Sequence, residues 1–277
     1  MRFELFGKTD VGPVRMRNED HVLVLDRVLN KGETYLSSSE TGRFLQSSGA
    51  ALWAAVADGV GGLPYGRDAS SIALQTLSET LMASTKVPDD AASLRTVIEE
   101  VNERVVAAGD EMAGSTGIGT TLSGLFIRHT TAFVFNAGDS RVYRMRGDSL
   151  ALLTRDDAKA GMIAETSGMS LDRAVETGDA SLTNCVGMKD FQVTIGPDLE
   201  CRPGDQFLIC TDGLFGSVSR ELIADVLGHS SPLAIKGHQL FDHALKGETL
   251  DNISLVLLAC RPDQPSGTRT PRAVISI

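Results

Sequence analysis

Acidic residues recur in this chain in one setting, at the edges of apolar runs that read as strands. Asp58 follows ALWAAVA and precedes Gly59, and Asp212 follows FLICT and precedes Gly213. Asp139 follows AFVFNAG, Asp251 sits just before ISLVLL, and Glu19 and Asp20 sit just before HVLVL. A sheet is rigid, so carboxylates at its strand ends can be aimed. Singly, each has an ordinary explanation. Asp-Gly is a frequent turn pair, Asp139-Ser140-Arg141 suits a hairpin turn, Asp251-Asn252 can simply start a strand, and Asp20 can pair with Arg15 or Arg17. The shared placement weakens those explanations. Clustered carboxylates repel one another unless cations neutralise them. Mg²⁺ and Mn²⁺ are hard ions that prefer carboxylate, carbonyl and water oxygens in octahedral geometry. Glycine at position 59 also lets its backbone carbonyl approach such an ion closely.

Nitrogen and sulfur ligands fit less well. Cys185, Cys201, Cys210 and Cys260 form no CxxC pair, His238 and His243 lie five residues apart, and no HExxH occurs. Any metal site here is therefore expected to be built from oxygen. The cysteines read as buried reduced thiols of a cytoplasmic protein.

The elements that must position these acids come as strand blocks with helix pairs between them. Strands are expected at Phe3–Phe6 and His21–Leu25, on either side of the turn-rich TDVGPVRMRNED. Residues 26–49 read as a polar, exposed excursion. Ala50–Ala57 is a continuous apolar run that suits a buried strand. Helices are expected over 68–83 and 91–112, the second from the stripe Leu94, Val97, Ile98, Val101 and Val105. Strands follow at Thr121–Ile127, Thr131–Asn136, Arg141–Met145 and Leu150–Leu153, and their short separations predict an antiparallel meander. Residues 155–180 are polar, with a short helix at Leu171–Glu176. Strands at Phe191–Ile195 and Gln206–Cys210, helices near 219–227 and 232–246, and a last strand at Ile253–Ala259 complete the pattern. No repeat or linker divides the chain, so residues 1–260 are expected to form one domain and 261–277 a flexible tail. The pattern predicts an α+β fold with helices outside antiparallel sheets.

Bulk composition excludes several classes. The 277 residues are 42% hydrophobic and 22% charged, enough apolar material for a core, with a net charge of −10. That charge argues against nucleic acid, whose phosphates need a basic face. No apolar run reaches the roughly 18 residues of a membrane span, and MRFELFGKTD lacks the apolar core of a signal peptide, so no membrane partner is expected.

Six ordered motifs carry a resemblance: TDVGPVRMRNED, VADGVGGLPYGRDAS, GIGTTL, NAGDSRVYRM, CTDGLFGSV and DNISLVLL. Their order and spacing resemble the protein phosphatase 2C family of metal-dependent serine/threonine protein phosphatases, in its compact bacterial type. The resemblance covers residues 3–260, and it implies a four-layer αββα sandwich, two antiparallel sheets flanked by helices. It also implies two divalent cations, Mn²⁺ or Mg²⁺, bridged by a water or hydroxide that attacks phosphorus directly. Asp58 would bridge both ions. The Gly59 carbonyl and Glu19 would serve one ion, and Asp212 and Asp251 the other. Asp139 with Asp212 matches a third, weaker site of bacterial members. Arg15 matches the arginine that grips the substrate phosphate, and Asp20 and Asn252 sit where they would orient ligands. The implied substrates are phosphoserine and phosphothreonine on proteins modified by a serine/threonine kinase, and the implied state is a monomer.

The chemistry suits that assignment. Two cations about 3.5–4 Å apart can lower the pKa of a bridging water and hold it in line with the leaving oxygen. A guanidinium offers a planar fork to two phosphate oxygens, which lysine cannot copy. Two positions depart from the family pattern. Val60 stands where animal members carry a histidine proposed as general acid, and Asp156-Asp157 stands where Asp-His is frequent. Residues 155–186 match the variable flap beside the site, with SLTNCVG at its exit. Two alternatives remain: a non-catalytic phosphoprotein-binding module of the same fold, and a phosphatase of the partner-switching proteins that control sigma factors. Degenerate members lose metal ligands, whereas Glu19, Asp58, Asp212 and Asp251 are all present. Partner-switching phosphatases commonly carry sensor domains, for which this chain has no room.

Overall fold

Alternation along the strands decides where each one lies. In β5 (Ala51–Ala57), Ala51, Trp53, Ala55 and Ala57 join one apolar cluster, while Leu52, Ala54 and Val56 join another. β13 (Ile253–Arg261) divides likewise, with Ile253, Leu255, Leu257 and Ala259 on one side and Val256, Leu258 and Cys260 on the other. A strand apolar on both faces must be covered on both, and its period of two sends alternate residues to different layers. The cluster shared by β5 and β13 lies between two antiparallel sheets packed face to face. The structure is a computed structural model that describes residues 1–30, 32–37, 51–60, 65–83, 87–113, 117–176 and 181–263.

The first sheet runs β4 (Thr34–Ser37), β1 (Arg2–Asp10), β13, β12 (Gln206–Cys210), β8 (Arg141–Arg146), β9 (Ser149–Leu152). The second runs β10 (Thr194–Ile195), β7 (Thr131–Ala137), β6 (Leu122–Arg128), β5, β2 (His21–Val24), β3 (Arg27–Leu29), with β11 (Leu199–Glu200) also paired to β7. On the second sheet's outer face lie α1 (Gly66–Ala83) and α2 (Ala91–Met112), which contribute Leu74, Leu77, Leu94, Ile98 and Val101 to the core. On the first lie α6 (Arg220–Gly228) and α7 (Leu233–Lys246), with Ile223, Val226, Leu240 and Phe241. The expected αββα sandwich is therefore the observed fold.

Several local expectations need correction. The four central strands do not form one meander. β6 pairs with β7 and β8 pairs with β9, but β7 and β8 belong to different sheets. Gly138-Asp139-Ser140 carries the chain across, and the Ser123 hydroxyl donates to the Ser140 carbonyl at 2.9 Å inside the crossing. Asp139 is thus not in a hairpin turn. The first strand extends to Asp10, and the strand expected at Phe191–Ile195 shrinks to Thr194–Ile195. The polar stretch after residue 155 holds α3 (Lys159–Ser167) as well as the expected α4 (Leu171–Glu176). The excursion at 26–49 contains β3 and β4, while its residues 31 and 38–49 and the tail beyond 263 lie outside the described residues.

Candidate active site

Strand ends from both sheets open on one cavity of about 200 Å³. Arg15 and Glu19 reach it from the β1–β2 loop, and Asp58, Gly59 and Val60 from the end of β5. Thr121 comes from the entry to β6 and Asp139 from the sheet crossing. Asp212 opens α5 (Asp212–Phe215), directly after β12, and Asp251 and Asn252 precede β13. Ser181 and Leu182, at the exit of the flap segment, complete the wall. Every acid predicted as a direct ligand is on this wall, and Asp20 is behind it.

Hydrogen bonds fix the backbone at each acid. The Asp58 N–H donates to Thr121 Oγ1 at 2.9 Å, while its carbonyl accepts from the Thr120 hydroxyl and the Thr121 N–H, both at 2.8 Å. Gly59 has a steric reason to be glycine. A Cβ there would lie 2.4 Å from the carbonyl group of Gly66, so α1 begins in contact with the Gly59 backbone. Ser70 of α1 donates to the Glu19 carbonyl at 2.5 Å. Asn252 accepts from the Glu19 N–H at 2.8 Å and donates to the carbonyls of Val11 at 2.8 Å and Arg17 at 2.9 Å. It therefore fastens the loop that carries Arg15 and Glu19. Gly213 makes the last approach. A Cβ there would fall 1.9 Å from the Asn252 carbonyl oxygen, so bare backbone contact brings Asp212 beside Asp251.

The electrostatics are those of crowded, half-buried carboxyls. Burial, reinforced by Asp20, Asp212, Asp139 and Asp251, pushes the Asp58 carboxyl well above the usual carboxylate range. Burial and then Asp212 raise Asp139 to about 8, and burial and then Asp251 raise Asp212 to about 6. Asp58 and Asp212 act on each other's charge, and Asp212 Oδ1 is buried with no partner among the described residues. Two carboxylates in that relation need a proton or a cation between them, and a bare buried acceptor is costly. Among the described residues no three potential ligands converge closely enough to hold an ion as they stand. The acids line one cavity without closing on a common point. The donor set, carboxylates plus the backbone carbonyl of Gly59 at the cavity, fits hard divalent cations.

Other predicted positions are more particular than expected. Arg15 donates to Asp251 at 2.5 Å, with its side chain 47% exposed at the cavity mouth. Asp20 makes no ion pair with Arg15 or Arg17. It is buried, accepts from the Thr211 hydroxyl at 2.9 Å, and burial lifts it to about 7. Thr120, Thr121 and Asn184 carry no predicted role, although the motif GIGTTL contains the first two. Asn184 donates to Asp157 at 2.7 Å, and the Gly138 N–H donates to the same oxygen at 3.3 Å, which ties the flap exit to the sheet crossing. Asp156 forms a buried ion pair with Arg141 at 2.9 Å. Val60 lines the cavity and cannot titrate. His21 lies against α1, with Nδ1 2.9 Å from the Ser70 hydroxyl, and burial lowers its pKa to about 4. Because Ser70 gives its proton to a carbonyl, His21 must be the donor, as the neutral Nδ1–H tautomer.

Two antiparallel sheets between helix layers, with carboxylates gathered at their strand ends, are the frame on which the comparisons with known proteins fall. The family model described as Protein phosphatase 2C matches residues 41–244, and the chain belongs to that family. That match contains Asp58, Asp139 and Asp212; Arg15, Glu19 and Asp251 lie outside it and join them in the cavity. The chain is 27% identical over 252 residues to the serine/threonine protein phosphatase PstP of Mycobacterium tuberculosis, covering 91% of this chain and 44% of that protein. It thus spans less than half of that relative. It is 28% identical over 260 residues to the protein phosphatase PhpP of Streptococcus pneumoniae, covering 91% of this chain and 95% of that one. A solved structure of the PstP catalytic domain in complex with two manganese ions aligns with a TM-score of 0.74 at 25% identity, covering 94% of this chain and all of that one. No described helix is long and apolar enough to cross a membrane.

Proposed function

We propose that this chain hydrolyses phosphoserine and phosphothreonine on proteins, using divalent cations held by the strand-end carboxylates. The observation that supports this most is the convergence of Glu19, Asp58, Asp139, Asp212 and Asp251 on one cavity, with three of them driven toward protonation by burial and mutual repulsion. Asp58 would bridge two cations, Glu19 and the Gly59 carbonyl would hold one, Asp212 and Asp251 the other, and Asp139 with Asp212 a third, weaker one. Bound there, Mn²⁺ or Mg²⁺ would supply an activated water and neutralise charge on the phosphoryl oxygens.

The chain's own residues set the rest. Arg15 stands at the mouth, where its guanidinium can take phosphoryl oxygens while Asp251 orients it. Thr121 holds the Asp58 backbone, and Asn252 holds the loop of Arg15 and Glu19. Water attacks phosphorus, the bond to the serine or threonine oxygen breaks, and that oxygen takes a proton. Neither Val60 nor the neutral, buried His21 would give one, so a water molecule would supply it. A residue 1–260 catalytic domain, a monomeric state, a cytoplasmic setting and a partner kinase complete the proposal, and the four free, buried cysteines suit a reducing compartment.

The test is hydrolysis of an aryl phosphate and of phosphothreonine peptides by purified protein. Activity should vanish in chelator and return with Mn²⁺. Full turnover in excess chelator after dialysis would overturn the reading.

A further inference from the structure

The loop that carries Arg15 has a second face. Arg15 and Glu19 line the catalytic cavity, while Met16, Arg17 and Asn18 from the same stretch line a separate cavity of about 360 Å³. Asn30 and Arg67 form another part of its wall, and Asp10 is the one carboxylate among the described residues that line it. That wall is held in place: Arg67 donates to Asn30 Oδ1 at 3.2 Å, and Asn30 donates to the Asp20 carbonyl at 2.7 Å. Asp10 is turned to its own loop and accepts from the Gly12 N–H at 3.1 Å.

Arg17 and Arg67 differ from the ion-paired arginines in that both line one cavity. Arg128, Arg141, Arg146, Arg155, Arg202 and Arg261 each hold a carboxylate partner. Arg17 and Arg67 hold none among the described residues. Both are exposed, both line the same cavity, and Met16, 97% exposed, supplies an apolar rim. Among the described lining residues two guanidiniums stand against one carboxylate, with the Glu33 carboxylate held nearby on the Asn30 N–H, on a protein whose net charge is −10. The Cα atoms of Arg15 and Arg17 can be no more than about 7 Å apart, so the cavity begins one loop's width from the phosphate position.

We propose that this cavity is a substrate subsite for a second anionic side chain, a carboxylate or a second phosphate, a few residues from the scissile phosphoresidue. The proposal rests on the phosphatase reading above. An extended peptide advances about 3.3 Å per residue, so an anion roughly two to four residues from the phosphoresidue reaches the arginines. Their planar forks accept either oxyanion.

The test uses phosphothreonine peptides with one flanking position at a time changed to Glu, phosphoserine, Ala or Lys. Wild-type kcat/KM should favour an anionic neighbour by roughly three- to tenfold, the scale of one or two exposed ion pairs, and less so in high salt. The Arg17→Gln/Arg67→Gln variant should lose that preference and keep its aryl phosphate turnover, which also shows that it folds. A preference for Glu assigns the carboxylate; a preference for phosphoserine alone assigns the phosphate. Equal kcat/KM across the wild-type series, or a preference that survives the double substitution, overturns the subsite. Peptide affinity by fluorescence anisotropy separates the two readings. Charge-dependent binding without aryl phosphate turnover in Mn²⁺ would sink the phosphatase reading and leave the subsite standing.

Discussion

Asp58 and Asp212 are half-buried and repel across one cavity, so each depends on a positive partner. Asp58→Asn or Asp212→Asn should therefore lower kcat by about 10²-fold or more, as when a preorganised charge is removed from a transition state. Near wild-type turnover in Asp58→Asn would refute the bridging role. Asp139 differs, because its carboxylate sits at the sheet crossing and touches Asp212 only through space. Asp139→Ala should fold, bind one fewer ion and turn over more slowly. Calorimetric Mn²⁺ titration checks this, and unchanged stoichiometry with unchanged kcat would reduce Asp139 to a structural residue of the crossing. Arg15→Ala should mainly raise KM, since it removes a phosphate contact present before and during reaction. His21 bears on pH. Its pKa of about 4 leaves it neutral above pH 5, and Val60 cannot titrate. The kcat/KM profile should therefore lack a descending limb near the usual histidine pKa. A limb there that disappears in His21→Asn would restore a histidine acid.

At the scale of elements, α2 was legible to the residue because an unbroken apolar stripe meets a capping box, with Asp90 and Ser93 bonded reciprocally. α3 was not, since it buries only Ala160 and Gly161 and so leaves no stripe to read. The β7–β8 crossing was illegible for a different reason. A period of two tells which residues face a core, but not which sheet a strand joins, and a three-residue link looks like a hairpin. The site divides in the same way. Acids at strand ends announce themselves by charge, whereas Thr120, Thr121 and Asn184 act through a few hydrogen bonds each, to backbone, hydroxyl or carboxylate, and leave no pattern. Gly213 tests whether element contact sets the site. Its Cβ would meet the Asn252 oxygen at 1.9 Å, so Gly213→Ala must part α5 from the entry to β13. The expected cost is about 1–3 kcal/mol of stability, with weaker Mn²⁺ binding. Gly196→Ala, whose Cβ would find only ordinary contacts at 3.6 Å and beyond, is the control. Equal effects on thermal unfolding and Mn²⁺ affinity would show that the close approach does not matter.

At the scale of the molecule, the carboxylates come from both sheets, so their charge state is a property of the assembled sandwich. In the folded chain Asp212 titrates at about 6, Asp20 at about 7 and Asp139 at about 8, against roughly 3.9 in an unfolded chain. These groups hold protons more tightly when folded. Their contribution is thus fully present below pH 4 and is lost as pH rises through the folded values. His21 works the other way, because its folded value of about 4 lies below the usual 6.5, but its contribution is complete by about pH 7. The range from pH 7 to 8.5 isolates the acids. In chelator, Tm should fall across that range, by about 2–4 °C for each kcal/mol lost in a domain of this size. Asp139→Asn, which removes the group with the highest of these values, should flatten the fall. Mn²⁺ should reverse it. Cations bind the ionised carboxylates, and only the folded chain brings those carboxylates together, so the stabilisation grows with ion concentration relative to Kd and with pH. Scanning fluorimetry of wild type and Asp139→Asn, with and without Mn²⁺, measures all four slopes. A Tm that is level or rising across the range in chelator would mean that the acids are not crowded enough to repel, and the shared cation site would lose its physical basis.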